Sequence, residues 1–527
     1  MASRRDELNA YTFAKRRTVA AFLQPSATGT EEGAPKPLRA VVPGLVVGAL
    51  VLAGFGAWGM FDPKAPKDWD KPGTKVIVGK DSTTRYVVLN TGGQPRLHPV
   101  LNLASARLLL DPGKFDVIQV DDKVLDSGKP PRGPIIGIPY APDRLPSAKE
   151  AGTPKRWAVC QQPGGNGKGV QTATFVLAER EAGLMDGPGK LADGQVMYVR
   201  ARTAGPNNTE VTTRWLVDAT GTKYRFPENT PEAVTLTNAL VGSGTPQLVT
   251  QEWLDTLATG EELGFPKLEA RAGTDANVPG LVTADNKVGM VLLARTGSGP
   301  QHYVVLPGKV SRVSSFVAWL LINAPATNAL DMHGKAREVD LQSLRPDGSQ
   351  FYEKKRWPRT QSGQVNGRTG AAQTQGAEAR DTVCNVLRSV DGQGRATLST
   401  WAGTSFPVDI SASGTSSYVT PGSGLLYTQF QGRQAKGGGG LFLVTDTGLR
   451  YAVQTNGDSD AEQSQIGAAP SASPGAGGEE GPPEASFAQA RLGYKDITPA
   501  LVPIAWSEFL SKGPRLDTNA ARQPQGS

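Results

Sequence analysis

The sequence has few of the residues that do most enzymatic chemistry. Of 527 residues, two are cysteines and three are histidines. Cys160 and Cys384 lie far apart and form no CxxC pair, which excludes the paired-thiol zinc and redox motifs. His98, His302 and His333 give neither HExxH nor an i, i+4 pair, so no His-based zinc site is expected. No GxSxG elbow is present. Charge of one sign is scarce too: 56 Lys and Arg against 49 Asp and Glu leave +7. That balance, without a basic stripe or interleaved aromatics, gives no nucleic-acid footprint. The adjacent acids Asp121-Asp122 and Glu261-Glu262 point in different directions on a strand or helix and read as solvated. No catalytic residue, metal or cofactor is expected. Aromatics are only 7% of the chain, whereas Gly (63) and Pro (40) are abundant, which predicts turns and short strands over a helical bundle.

One long stretch, residues 40–61, has no charge at all. At about 1.5 Å per residue it reaches across a hydrocarbon core of about 30 Å. Ten of its residues are Val, Leu or Phe. Pro43 falls in the first turn, where its missing N–H costs least. Gly44, Gly48 and Gly54 suit close helix packing, and Leu50 and Trp58 belong to the same expected span. A signal peptide is the rival reading, but its apolar region is about 7–15 residues behind a short charged segment. Here about forty residues precede the run, and Ala57-Trp58-Gly59 is a poor cleavage site. A single uncleaved transmembrane helix is expected.

Residues 1–39 carry seven Lys or Arg and four Asp or Glu, which argues for a cytoplasmic N-terminus. Lys64, Lys67, Lys71, Lys75 and Lys80 count the other way, but long domains translocate largely regardless of such charges. Residues 6–23 read as one helix with Leu8, Tyr11, Val19, Phe22 and Leu23 near one face. Tyr11, Phe13, Lys15, Arg16, Arg17, Phe22 and Leu23 are the candidate docking residues for a partner or for anionic lipid. A solvated charge run is the alternative. Residues 25–37 and 62–73 read as linkers.

Beyond the span, four places share an apolar strand, a tight turn and a second strand opening with an aromatic: 76–89, 215–226, 290–306 and 441–453. Their turns hold residues able to take φ > 0. Two copies match further. Thr220, Gly221, Lys223 and Tyr224 correspond to Thr447, Gly448, Arg450 and Tyr451; Pro246, Trp253, Leu257 and Gly260 correspond to Pro499, Trp506, Leu510 and Gly513. The offset grows between the two sets, and the low-complexity stretch 457–484 has the size and composition of an inserted loop. Each repeat is read as a hairpin plus a helix, over 249–259 and 502–511, closed by Gly260 and Gly513. Tyr224, Trp253 and Leu257, with Tyr451, Trp506 and Leu510, form its expected core. The stretches 97–110 and 310–321 read as the helices of the other two copies.

Strand-like pieces at 156–161, 174–180, 195–201, 381–387 and 396–402 fill two central stretches, each with one cysteine in an apolar run. Outside the membrane the parsimonious reading is a Cys160–Cys384 disulfide; two separate buried thiols are the alternative. Residues 359–380 read as a flexible surface loop. The expected fold is α+β. It has a cytosolic helix and linker (1–39), a span (40–61), a linker (62–73), repeats over 74–129, 211–270, 285–334 and 440–513, a β-rich core over 130–210 and 335–425, and a tail (514–527).

This layout resembles EccB, the membrane component of the actinobacterial type VII (ESX) secretion system. The resemblance rests on LNAYTFAKRRTVAAFL near the N-terminus, the span, LHPVLNLASARLLL, and the Cys160/Cys384 pair among the repeats. It implies a cytosolic N-terminus, a bridged core, and assembly with EccC, EccD and EccE into a hexameric export complex containing further copies of the chain. Some family members are described as ATPases, and residues 164–169 (GGNGKG) are the nearest candidate for a phosphate loop. They lack the Ser or Thr for Mg²⁺ and no helical pattern follows, so a hairpin tip is the better reading. The 457–484 insert departs from the family. Two functions fit this reading: a structural subunit of a secretion complex, and a peptidoglycan-binding module. ATP enters only with an ATPase reading.

Overall fold

The computed structural model describes residues 3–23, 38–61, 65–164, 169–204, 209–228, 230–367, 380–410, 416–432, 439–455, 466 and 487–525, with the side chains of 38–40, 56–61 and 487 excepted. The Trp58 side chain, residues 165–168, most of the 359–380 loop and the 457–484 insert apart from Ile466 therefore lie outside the described residues. The chain divides into two units. The smaller holds 1–69, 78–83 and 118–129; the larger holds 70–77, 84–117 and 130–527.

In the smaller unit, Arg4–Leu23 is a helix with Asp6 and Glu7 in its first turn, where carboxylates favour the helix dipole. None of its residues is buried. Leu38–Phe61 is a second helix of 24 residues, with Pro43 inside it. At 1.5 Å per residue it is about 36 Å long, while the 41–55 portion with described side chains covers only about 22 Å. Among the described residues no helix is long and apolar enough to cross a membrane. The remaining pieces are tied by Asp122, which the sequence reading left in solvent. Its carboxylate accepts from Asp81 N (2.7 Å), Ser82 N (3.1 Å) and Ser82 Oγ (2.5 Å). The Ser82 hydroxyl, then the two amides, hold this carboxyl below the usual range. Asp121 caps the helix Asp122–Leu125 by accepting from Lys123 N.

One build recurs four times, in the larger unit except that residues 78 and 79, which end the first strand of module 1, are counted with the smaller. Each module opens with an antiparallel three-stranded meander. The strands are Lys75–Gly79, Arg85–Thr91 and Gln94–Pro99 in module 1, and Gln195–Ala204, Glu210–Asp218 and Thr222–Arg225 in module 2. Module 3 uses Val291–Thr296, Gly299–Leu306 and Lys309–Val313. Module 4 uses Gly424–Phe430, Leu441–Thr445 and Leu449–Val453. A helix follows in every case: Leu103–Leu109, Ala233–Val241, Ser315–Ile322 and Phe487–Arg491. The chain then returns as two short closing strands, one parallel to the first meander strand and one parallel to the third. They are Gln247–Val249 and Ala258–Thr259 in module 2, Arg337–Glu338 and Pro346–Gln350 in module 3, and Ala500–Pro503 and Ser511–Lys512 in module 4. In module 1, Arg132 bridges Leu97 in the same parallel sense. Closing strands cover sheet edges that would otherwise invite foreign pairing.

The repeat is thus a meander, a helix and two closing strands, and the hairpin-plus-helix reading is corrected. Residues 249–259 and 502–511 are not single helices: the helices are only Gln251–Asp255 and Ile504–Ser507, set between closing strands. Likewise 97–110 and 310–321 each begin as the end of a strand before turning helical. The hairpins at 76–89 and 290–306 are strands one and two of their modules, whereas those at 215–226 and 441–453 are strands two and three. That shift is why only two copies align. The strand Gln195–Ala204, read as central, opens module 2.

The central sheet has the order Ala396–Gly403, Thr382–Val390, Arg156–Pro163, Val170–Leu177, Ser417–Val419. Two hairpins, one from each central stretch, meet antiparallel with Cys384 opposite Cys160. The larger unit therefore reads module–hairpin–module twice. Its buried clusters agree: modules 2 and 3 share one with Tyr198, Met290 and Phe316, and modules 1 and 4 share another with Val87, Leu426 and Tyr451. Exchanging the halves maps the first contact onto the second, so the two halves repeat one order of elements and contacts. Residues 514–525 are not a loose tail: Leu516 and Ala521 are fully buried in the module 1–4 cluster.

Candidate functional site

The central sheet is where the two halves are fastened, and side-chain alternation gives it two working faces. Cys160 and Cys384 form a disulfide, their Cα atoms 4.0 Å apart. It lies in a cluster with Phe175, Met185, Val386 and Trp401. The opposite face, carrying Trp157, Val159 and Val176, packs against modules 2 and 4 through Trp253, Leu257, Trp506 and Leu510. Trp157 meets Tyr427 edge-on at 5.5 Å. Trp253 and Trp506 are buried, and the Trp253 Nε1 donates to Val159 O at 3.0 Å.

The residue after each cysteine performs the clamping. Gln161 Oε1 accepts from Thr250 N at 2.9 Å and its Nε2 donates to Thr250 Oγ1 at 3.0 Å. Thr250 is the N-cap of the short helix Gln251–Asp255. Asn385 Nδ2 donates to Trp253 O (2.9 Å) and to Thr256 Oγ1 (2.7 Å), at the other end of that helix. Sequence reasoning missed both. The matching VCQ and VCN triplets were the available signal.

Beneath each closing helix sits a buried cation, at the matched positions Lys223 and Arg450. Lys223 Nζ donates to Leu254 O at 2.7 Å and lies 5.3 Å from the Trp215 ring centroid. Arg450 donates to Ser507 Oγ at 2.7 Å and lies 5.3 Å from the Phe442 ring centroid. Burial pulls the Lys223 ammonium down, with Asp255 opposing. Burial pushes the Tyr427 hydroxyl, bonded to Ser507 at 2.7 Å, up to about 12. Tyr224 and Tyr451 are buried as well. Their rings fill the space that a Cβ on Gly260 or Gly513 would need, at 2.4 Å in each case. Those glycines permit close chain passage rather than ending a helix.

The other candidates are not brought together. Tyr11, Phe13, Phe22 and Leu23 are exposed, as are Lys15, Arg16 and Arg17. Pro43, Gly48, Leu50 and Gly54 lie exposed along Leu38–Phe61. His98 is buried, its ring bonded to Thr91 Oγ1 (3.0 Å) and Pro134 O (3.1 Å). Glu261 pairs with Lys355 at 2.7 Å. Gly164 N donates to Gly169 O at 2.9 Å, closing a hairpin between two antiparallel strands. A phosphate loop needs a helix at that point, and the strand Val170–Leu177 follows instead. Among the described residues no group of His, Cys, Asp and Glu is placed to hold a metal.

Fold and site together define a modular protein: interlocked repeats around a cross-bridged sheet, clamped by Gln161 and Asn385. The family model described as "Type VII secretion system ESX-1, transport TM domain B" matches residues 1–526, and the chain belongs to this family, EccB. Among curated relatives, the ESX-2 secretion system ATPase EccB2 of Mycobacterium tuberculosis is 32% identical over 288 residues, 53% of this chain and 52% of that one. The ESX-1 secretion system ATPase EccB1 of Mycolicibacterium smegmatis is 28% identical over 284 residues, 53% of each. The chain spans about half the length of these relatives. A chain of an intact ESX-5 inner membrane complex is similar in fold (TM-score 0.53, 21% identity, covering 100% of this chain and 96% of that one). So is a chain of an EccB3 dimer from the ESX-3 core complex (TM-score 0.53, 22% identity, 85% and 99%).

Proposed function

We propose that this chain is a structural subunit of a type VII secretion membrane complex. In this reading residues 40–61, within the helix Leu38–Phe61, are the single membrane span, residues 1–39 are cytosolic, and the modular unit stands outside the membrane. The observation that carries it is the family match over residues 1–526, which takes in both terminal helices and all four modules. A buried disulfide at the seam of the modular unit fits an oxidising compartment. The exposed Tyr11, Phe13, Phe22 and Leu23 beside Lys15, Arg16 and Arg17 would dock on the cytosolic parts of EccC-, EccD- and EccE-like subunits, with further copies of this chain completing a hexameric assembly. The chain itself would carry no catalysis and bind no ATP.

Detergent extraction followed by capture through this chain tests the reading. The expected result is co-purification of EccC-, EccD- and EccE-like proteins; recovery of this chain alone would sink it. Single cysteines at residues 30 and 70, probed with an impermeant thiol reagent in intact cells, test the topology. Labelling at 70 and not at 30 is expected. ATP hydrolysis by the purified chain, abolished by Lys168→Ala, would establish an enzyme instead.

A further inference from the structure

Among the described residues, module 3 leaves part of its sheet edge open. Its first strand, Val291–Thr296, pairs on one side along its whole length with Gly299–Leu306. On the outer side the closing strand Arg337–Glu338 pairs only with Leu292 and Leu293. Val339 N donates to Leu293 O at 3.0 Å, so Leu293 turns its backbone groups to the outer edge. Backbone direction alternates residue by residue along a strand, so Arg295 presents its N–H and C=O to that same edge, past the end of the ladder. The equivalent closing strand of module 4 is four residues long and runs out to Phe430, the last residue of its partner.

Beside this open edge lies a cavity of about 500 Å³. Leu281, Val282, Leu293, Val339 and Leu341 give it apolar walls, and Arg295 lines it as well. Val282 is 63% and Leu341 42% exposed, an apolar surface open to solvent. Glu338 and Asp340 line its exposed side, and the buried Asp285 lines it as well. Asp285 is paired with Arg337 at 2.6 Å, while Arg295 stands 3.9 Å from Glu338 with both side chains largely exposed. That exposed pair is readily exchanged for another partner; with Asp285 neutralised by Arg337, Glu338 and Asp340 outnumber Arg295 and leave this surface net negative.

We infer that this groove receives an extended segment of a partner protein. The segment adds as a strand to the edge at Arg295, with alternate apolar residues against Val282 and Leu341 and basic residues facing Glu338 and Asp340. Main-chain bonds supply affinity, and the side-chain alternation supplies selectivity. The acidic rim favours basic over acidic segments and makes binding sensitive to salt. The inference goes beyond the secretion-subunit reading and does not depend on it.

The test uses the full chain in detergent and a fluorescein-labelled hexapeptide alternating lysine and valine, followed by anisotropy. An alternating glutamate–valine hexapeptide is the control. The lysine peptide is expected to bind roughly tenfold more tightly than the control and to slow hydrogen exchange at the Arg295 amide. Arg295→Pro removes the edge donor without touching the inner ladder, and it should abolish binding. Arg295→Ala, which keeps the amide and leaves the rim more acidic, should bind at least as well as the native chain. Val282→Asp, at an exposed position, should also lose the peptide. Equal binding of the two peptides, unchanged binding by Arg295→Pro, no binding at all, or protection of Arg295 by soluble peptidoglycan fragments instead would each overturn the inference.

Discussion

Two glycines illustrate how little room the modules leave at single residues. A methyl group on Gly260 would sit 2.4 Å from Tyr224, and one on Gly513 would sit 2.4 Å from Tyr451. Both rings are buried, so the clash cannot be relieved by swinging a side chain into solvent. Gly260→Ala or Gly513→Ala should cost about 1–3 kcal/mol, as overpacking does. Chemical denaturation of the purified chain measures this, and a cost near zero would mean that the tyrosine pockets yield. His98 makes a second prediction at this scale. Burial pulls its pKa below 6.5, the Pro134 carbonyl opposing. The unfolded chain therefore binds the proton more readily than the folded one. Stability from the neutral ring is fully present above about pH 6.5 and declines as pH falls below it. His302 is shifted the same way by burial, so the comparison that isolates His98 is native chain against His98→Asn. The native chain should lose more stability between neutral pH and pH 5 than the variant does.

Among elements, the central hairpins set the register of everything clamped to them. Cys160 and Cys384 face each other across the strand pair at the middle of the central sheet, one strand from each half. Removing the bridge with Cys160→Ser and Cys384→Ser should lower stability by about 2–4 kcal/mol, the usual range for a native disulfide. The seam also loses its registration, so exchange at Thr250, Trp253 and Asn385 should accelerate beyond the average for the chain. Unchanged exchange there would mean that backbone pairing alone fixes the register. Much of this scale was legible in the sequence. Runs such as RWAVCQ and DTVCNVL are long and β-branched, and their alternation places cysteine on one face and Val159 or Val383 on the other. The closing strands were not legible, because two or three residues such as Ala258–Thr259 carry no periodic signal. Trp253 and Leu257 read as one helix because four-residue spacing is helical. In the structure the helix ends at Asp255, and Leu257 reaches the same cluster from the turn that follows. The clamps at Gln161 and Asn385 stayed hidden for a different reason: a polar residue after a cysteine acquires its role only when a helix end from another module arrives beside it.

At the scale of the whole modular unit, the buried clusters divide stability into two pairs, modules 2 with 3 and modules 1 with 4. The pairs are not closed in the same way. Modules 2 and 3 are consecutive in the chain, whereas modules 1 and 4 come from its opposite ends and are joined by the final segment. Leu516 N donates to Ala452 O at 2.7 Å, and Gln525 N donates to Ile135 O at 2.8 Å. Leu516 and Ala521 bury their side chains between the two modules. Deleting residues 514–527 should therefore act on one pair only. Losing a buried leucine costs about 1.5–3 kcal/mol, and the lost backbone bonds add to this. Hydrogen exchange should quicken in Arg85–Thr91, Leu103–Leu109 and Leu449–Val453, while Val291–Thr296 and Ser315–Ile322 keep their protection. A uniform acceleration through all four modules would show that the central sheet couples the pairs into one cooperative unit, and the division into two would be wrong.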